Sequence, residues 1–292
     1  MGQSQVERGA QFLARHSEPG AFVLPNAWDP GSAKILAAAG FDALATTSAG
    51  IAFAAGLPDD GRIGRAAMLD RVAAIVAAVP VPVSADVEAG YADDAAGVGE
   101  TIRAVVAAGA IGANVEDSDP AGPRRLFEPA IGAERVRSAR RAADETGIPF
   151  TLNARIDAFL AGDEDPFAET ATRAERYVDA GADCIFVPGI SDEGDIARAV
   201  EMIDAPLNVV AGLSGEPLEL AAYERLGVRR VSVGGGLTRA AFGLVRRAAV
   251  DMLEGRFDHA SDAIPYDELN RLMGEPNPVA PAPPPRDNRP GH

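Results

Sequence analysis

The sequence predicts an α/β chain folded as a (β/α)8 TIM-type barrel with extra C-terminal helices. Three observations carry that prediction. Eight short β-rich runs alternate with Ala-rich helical stretches over about 215 residues. Many of the helical stretches close on a glycine just before the next run, the residue that ends a helix in the left-handed conformation. Polar residues gather at the C-terminal ends of the runs, where barrels of this kind place their chemistry.

The strands are read, in order, at AFVLP (21–25), DALATT (42–47), PVSADV (82–87), IGANVE (111–116), FTLNAR (150–155), CIFVP (184–188), LNVVA (207–211) and VRRVSVG (228–234). Most are β-branched and apolar, as expected of parallel strands buried on both faces. Helices are read at 30–39, 65–78, 94–108, 131–146, 166–180, 192–203 and 217–226. Gly40, Gly109, Gly147, Gly181 and Gly227 stand at their ends. A doubly wound sheet is the alternative, and it is weaker because no GxGxxG turn follows the first strand. Two further helices, 236–254 and 265–274, lie beyond the barrel and are available to a neighbouring subunit. The expected organisation is one domain over 1–274 and a tail over 275–292. Seven of those 18 tail residues are proline, so the tail is expected to be disordered or polyproline, and His292 in it is set aside as a catalytic group.

Composition narrows the function. Lys and Arg number 27 against 43 Asp and Glu, a net charge of −16. That balance argues against nucleic acid or an anionic membrane surface as partner. The first 20 residues are polar and helical in pattern, unlike a secretory signal, and no run is long and apolar enough to span a membrane. The chain has one Cys (Cys184), one Lys (Lys34) and three His (His16, His259, His292). There is no disulfide framework, no CxxC site and little room for a Ser–His–Asp triad. The lone Cys184 falls inside a strand and reads as a small buried hydrophobe. A cytoplasmic home is the natural expectation.

The remaining tools are carboxylates, Arg, hydroxyls, Asn and backbone amides, and the strand ends collect them. The second strand ends in Ser48, Ala49 and Gly50, a small-residue turn whose amides suit an oxyanion or whose size suits close packing. The third ends in Asp86 and Glu88, two apart and so expected on one face. The fourth ends in Glu116 and Asp117, the fifth in Arg155 and Asp157. The seventh carries Asn208, and the eighth ends in Ser232 before Gly234, Gly235 and Gly236. Carboxylates this close raise each other's pKa unless a cation sits among them. All-oxygen ligation by Asp86, Glu88 and Glu116 suits Mg²⁺ or Mn²⁺ rather than Zn²⁺. Asp94 and Asp119 read as helix caps, with Asp117 as a third candidate. Arg155 suits a substrate carboxylate or phosphonate in two-point contact, or else simply neutralises its acidic neighbours.

In order, PNAWDPGSAKILAAAGFDALATTSAG, GLPD, SADVEAGY, NVEDS and NARIDAFLAG resemble the isocitrate lyase/phosphoenolpyruvate mutase superfamily over roughly residues 15–255. The resemblance implies a barrel that binds Mg²⁺ and a 2-oxo acid or its enolate. It matches Asp86, Glu88 and Glu116 to the metal-site acids, directly or through water. It matches Asp59 of GLPD to a further acid near the metal, and Ser48, Ala49 and Gly50 to the turn holding the oxo-acid carboxylate. Arg155 and Asn208 match substrate contacts. It also implies a homo-oligomer, dimer or tetramer, with a C-terminal helix swapped between subunits.

The departures bear on the reaction. The lyase branch carries KxCGH on the loop after the fourth strand, and the phosphonomutase branch carries Lys and Asn there. This chain has EDSDPAGPRRLFEP, without Cys, Lys, His or Asn. Where lyases often have Glu after the sixth strand, Pro188 and Gly189 stand. The expectation is therefore a Mg²⁺-dependent carbon–carbon lyase. It would act by retro-aldol cleavage or decarboxylation on a small 2-oxo or 2-hydroxy (di)carboxylate, through a metal-stabilised enolate. Arg155 and Asp59 are its candidate catalytic groups. Phosphoenolpyruvate mutase or phosphonopyruvate hydrolase-like P–C chemistry is the second reading, and a catalytically reduced metabolite-binding barrel the third.

Overall fold

The computed structural model describes residues 3–59, 62–213 and 215–274. The proline-rich 275–292 segment lies outside them. Nine parallel strands run β1 (Phe22–Leu24), β2 (Asn26–Ala27), β3 (Leu44–Thr46), β4 (Val83–Asp86), β5 (Gly112–Glu116), β6 (Thr151–Arg155), β7 (Cys184–Phe186), β8 (Leu207–Val210) and β9 (Arg230–Ser232). The helices are α1 (Gln5–Arg15), α2 (Pro30–Ala38), α3 (Ser48–Ala54), α4 (Arg65–Ala78), α5 (Ala95–Ala107), α6 (Pro129–Asp144), α7 (Ala158–Ala161), α8 (Pro166–Asp179), α9 (Glu193–Met202), α10 (Leu220–Arg225), α11 (Gly236–Leu253) and α12 (Tyr266–Gly274). This is the expected (β/α)8 barrel with helices beyond it.

The ninth strand is a division of the first. Pro25 lacks an N–H and interrupts the ladder. Before it, β1 pairs with β9; after it, β2 pairs with β3. Asn26 mends the seam with its side chain. Its Nδ2 donates to the Thr46 carbonyl at 2.7 Å, and its Oδ1 accepts from the amides of Val233 and Gly234 at 2.9 and 2.8 Å. The barrel closes there.

The wall is held by small and β-branched side chains. Val98, Ile102 and Val105 of α5 and Val136, Ala139 and Ala143 of α6 are buried in one continuous core with Val115, Leu152 and Ile185 of the strands. Each fully buried Val, Ile or Leu contributes roughly 1.5–3 kcal/mol relative to exposure. Asp29 and Asp94 cap α2 and α5 through the amides of Ser32 and Gly97. The five glycines read as helix stops all have positive φ, from 70° to 102°. Two short helices, α3 and α7, were not expected. Cys184 is fully buried, and burial pushes its thiol up to about 12.

At the far end, α12 packs on α2 of the same chain, where Lys34 donates to the Met273 carbonyl. Helix α11 leaves Phe242, Val245, Val250 and Leu253 exposed. Among the described residues, no helix is long and apolar enough to cross a membrane.

Helix α1 covers the N-terminal mouth of the barrel and buries Phe12 and His16 against Phe22. His16 Nδ1 donates to the Phe12 carbonyl at 2.9 Å. Burial, then the nearby positive charge of Arg230, pushes the imidazole down to about 3. Because its folded pKa lies below the unfolded one, the unfolded chain binds the extra proton between about pH 6.5 and 3. His16 therefore contributes full stability above pH 6.5 and loses it as pH falls. Between pH 7 and pH 5 that loss is about 2 kcal/mol. Urea unfolding at both pH values checks it: the wild-type advantage over His16→Gln is expected to shrink by that amount on acidification.

Candidate active site

The C-terminal ends of β4, β5 and β6 bring three charges together. Asp86 ends β4, Glu116 ends β5 and Arg155 ends β6, with Glu116 and Arg155 paired in register. Above them opens a cleft of about 490 Å³ lined by Ser48, Asp59, Glu88, Glu116, Ser118 and Arg155, among others.

Asp86 is buried. Its Oδ2 accepts from both the amide and the hydroxyl of Ser48, at 2.9 and 3.0 Å. Its own amide donates to Thr46 Oγ1 at 2.8 Å. Its Oδ1 is buried with no hydrogen-bond partner. A carboxylate oxygen in that condition is costly unless a cation or donor meets it.

Glu88 reaches the cleft by a different route from the one expected. Strand β4 has ended at Asp86, so shared strand register does not place Glu88. It sits at φ 48° in a left-handed bend that continues through Gly90 (89°) and Tyr91 (50°). Such a bend persists only where its surroundings fix it. Arg135 of α6, itself buried, donates to the carbonyls of Ala89 and Ala92 at 2.7 and 2.8 Å and stacks over Phe127. Tyr91 then donates its hydroxyl to Glu88 Oε1 at 2.6 Å. Burial pushes Glu88 up to about 7, with Asp86 and Asp59 adding to the rise and the Tyr91 bond opposing it.

Arg155 is gripped on two sides. Its Nε and Nη2 meet Asp157 Oδ1 and Oδ2 at 2.6 and 3.0 Å, and its Nη1 meets Glu116 Oε2 at 2.8 Å. Arg155 thus neutralises Asp157 and Glu116 and still has spare donors. A guanidinium has five N–H groups, so one remains on each terminal nitrogen. Burial opposes its charge, but Asp157 and Glu116 more than offset that and hold its pKa high. Burial raises Glu116 well above the usual carboxylate range. Arg155 pulls it down, while Asp157, Asp86 and Glu88 push it further up.

Asp117 does not cap a helix. It lies beneath the site, buried, where its Oδ1 accepts from the Asp157 amide at 2.9 Å. Its Oδ2 accepts from the Tyr177 hydroxyl at 2.9 Å and from Arg173 at 3.2 Å. Burial, then Asp157, pushes it up to about 6 against the pull of Arg173. Asp119 is not a cap either: it sits in the loop after β5 and pairs with Arg125 at 2.8 Å.

The cleft gathers Ser48, Asp59, Glu88, Glu116 and Arg155, with Asp86 bonded beneath Ser48. Ala49, Gly50 and Asn208 do not line it. The expected small-residue turn is instead the first turn of α3, capped by Thr47, whose Oγ1 takes the Gly50 amide at 3.2 Å. Two of its three amides are therefore engaged, those of Ser48 and Gly50. A Cβ on Gly50 would stand 2.5 Å from Thr238 Oγ1 and 2.6 Å from Thr47 Cγ2, so close packing accounts for that glycine. Asn208 is buried in β8 and accepts from Ser232 Oγ at 3.2 Å, with its Nδ2 unpartnered. Sequence reasoning passed over Ser118, Tyr91 and Arg135, and it noted Asp157 only as a strand end.

A divalent ion tests this arrangement. Among the described residues, no three His, Cys, Asp or Glu side chains stand as ready-made ligands around one point. Mg²⁺ asks for less, commonly one or two carboxylates with water and substrate oxygens completing the shell. The unpartnered Asp86 Oδ1, with Glu88 and Glu116 at the same cleft, fits that demand.

The sequence profile of the phosphoenolpyruvate phosphomutase family matches residues 12–253. A crystal structure from Burkholderia cenocepacia J2315, provisionally assigned as a lyase/mutase, superposes with a TM-score of 0.89. It is 45% identical and covers 94% of this chain and 98% of that one. The 2,3-dimethylmalate lyase of Eubacterium barkeri is 30% identical over 86% of this chain and 89% of its own. The phosphoenolpyruvate phosphomutase of Streptomyces platensis subsp. rosaceus is 26% identical with a TM-score of 0.80. That match covers 91% of this chain and 95% of that one.

Proposed function

Because the chain belongs to the phosphoenolpyruvate phosphomutase family of the isocitrate lyase/phosphoenolpyruvate mutase superfamily, we propose that it is a Mg²⁺-dependent carbon–carbon lyase. Its substrate is a small 2-oxo or 2-hydroxy (di)carboxylate, cleaved by retro-aldol reaction or decarboxylation. The carrying observation is the charge of the cleft. Among the described residues that line it, five carboxylates, of Asp59, Glu88, Glu116, Asp119 and Asp157, stand with one cation, Arg155. One guanidinium plus one divalent ion matches a carboxylate and its neighbouring oxygen. A phosphoryl dianion would meet carboxylates and no second cation among the described residues lining the cleft, Arg125 being paired with Asp119 outside that lining, which ranks P–C chemistry second.

Mg²⁺ held by Asp86, with Glu88 and Glu116 as direct or water-bridged partners, would supply the electron sink at the substrate's oxo group. The chain's own residues do the rest. The spare Nη hydrogens of Arg155 bind a substrate carboxylate and are already aimed, so little ordering remains to be done. Ser48 fixes Asp86. Asp59, exposed at the rim, adds negative charge beside Glu88. The 118–126 loop roofs the cleft with Ser118, Pro120 and Pro123 but supplies no Cys, Lys or His. Water then protonates the carbanion carbon, a demand that decarboxylation meets most simply.

The exposed apolar row on α11 supports a homo-oligomer. The test of activity is pyruvate release from oxaloacetate, methylisocitrate-like acids and phosphonopyruvate, with and without Mg²⁺. Metal-dependent release from a carbon acid is the expected result. Release from phosphonopyruvate alone, or its conversion to phosphoenolpyruvate, would favour the P–C reading. No turnover of any of these acids, together with no Mg²⁺-dependent proton exchange on pyruvate, would favour the metabolite-binding barrel.

A further inference from the structure

We propose that Asp157 is a positioning residue that ties the 118–126 loop to the aim of Arg155. The proposal rests on the reading that Arg155 meets the substrate carboxylate. Asp157 is only 4% exposed, and both its oxygens are committed. Oδ1 takes Nε of Arg155 at 2.6 Å. Oδ2 is shared: it takes Nη2 of Arg155 at 3.0 Å and the Ser118 hydroxyl at 2.6 Å. Ser118 is the first residue of the roofing loop, and its backbone bridges to Leu126 across the loop's base. One carboxylate oxygen therefore feels both the loop and the guanidinium.

Asp157 is itself pinned from below. Its amide donates to Asp117 Oδ1, and Asp117 is held by Tyr177 and Arg173 of α8. The anchor is thus held from below, and Ser118 meets it from the base of the loop. When Ser118 donates, Oδ2 is drawn toward the loop and the two-point grip on Arg155 is set at one angle. Without the Ser118 hydroxyl, Oδ2 has Arg155 alone to satisfy it. An arginine has a long flexible stem, and fixing it beforehand lowers the ordering cost of binding. Loop position is thereby converted into the direction of the two free Nη hydrogens.

The experiment is a double-mutant cycle on the full chain, with oxalate as a planar dicarboxylate probe in the presence of Mg²⁺. Asp157→Asn is expected to weaken oxalate about tenfold, as for loss of one charge-assisted hydrogen bond. Ser118→Ala is expected to weaken it about threefold by the same reasoning. With substrate, both changes should fall mainly on KM rather than kcat. In an Arg155→Ala background each is expected to change oxalate affinity less than about twofold, because the group they act through is gone. Equal losses in both backgrounds would overturn the proposal and leave Asp157 a structural residue. So would Asp157→Asn and Ser118→Ala proteins that bind oxalate as the wild type does. If Asp157→Asn fails to fold, the Ser118→Ala arm runs the same cycle. An Arg155→Ala protein with unchanged oxalate affinity would instead sink the functional reading, and the proposal with it.

Discussion

Replacing Asp86 with alanine is expected to abolish Mg²⁺ binding and Mg²⁺-dependent turnover while the barrel still folds. Among the described residues, Asp86 offers the one buried carboxylate oxygen at the site without a partner, Oδ1. Removing the side chain deletes the proposed ligand, and several kcal/mol of transition-state stabilisation correspond to a rate loss of about a thousandfold. The structural cost is small by comparison. The Ser48 amide and hydroxyl lose their acceptor, a loss of about 1–3 kcal/mol. Relief of repulsion toward Glu88 and Glu116 offsets part of it, since Asp86 pushes both upward. Calorimetric titration with Mg²⁺, alongside a thermal melt, reads both effects. Wild-type Mg²⁺ affinity in the Asp86→Ala protein would remove Asp86 from the metal site.

Arg155→Lys should produce the opposite split: Mg²⁺ affinity close to wild type, and oxalate affinity down by about a hundredfold. A lysine ammonium cannot span both Asp157 oxygens and reach Glu116 while still presenting two parallel N–H groups. Two lost contacts to charged groups, at roughly 1.5 kcal/mol or more each, give a loss of that size. Competition binding with oxalate at saturating Mg²⁺ measures it. Equal weakening of metal and oxalate would mean that Arg155 serves the acid cluster rather than the ligand.

Much of the scaffold was legible because barrels write themselves in a regular alternation. Asp86, Glu116 and Arg155 stood out since each closes a strand at the chemical end, a one-dimensional property. Glu88 was found for the wrong reason. Its spacing suggested strand register, whereas a left-handed bend braced by Arg135 delivers it. That brace joins residues 46 apart, and no local pattern announces it. Helices α3 and α7, seven and four residues long, were too short for a 3.6-residue period to show. Gly50 looked like part of an anion cradle because glycine looks the same in sequence whether it makes room for a ligand or for Thr238. The Ser118–Asp157–Arg155 contact depends on rotamers, which the sequence does not display.

The seam at Pro25 has a consequence for how the chain reaches this shape. Asn26 holds amides 207 and 208 residues further along, and β1 finds its partner only in β9. An emerging chain can add strands β2 to β8 side by side, each next to the last. The ring cannot be sealed until Val233 and Gly234 exist. Closure is thus the highest-contact-order event in the fold and is expected among its last and slowest. Until then β1 presents an open edge, and the polar head of Asn26 waits on water rather than on protein.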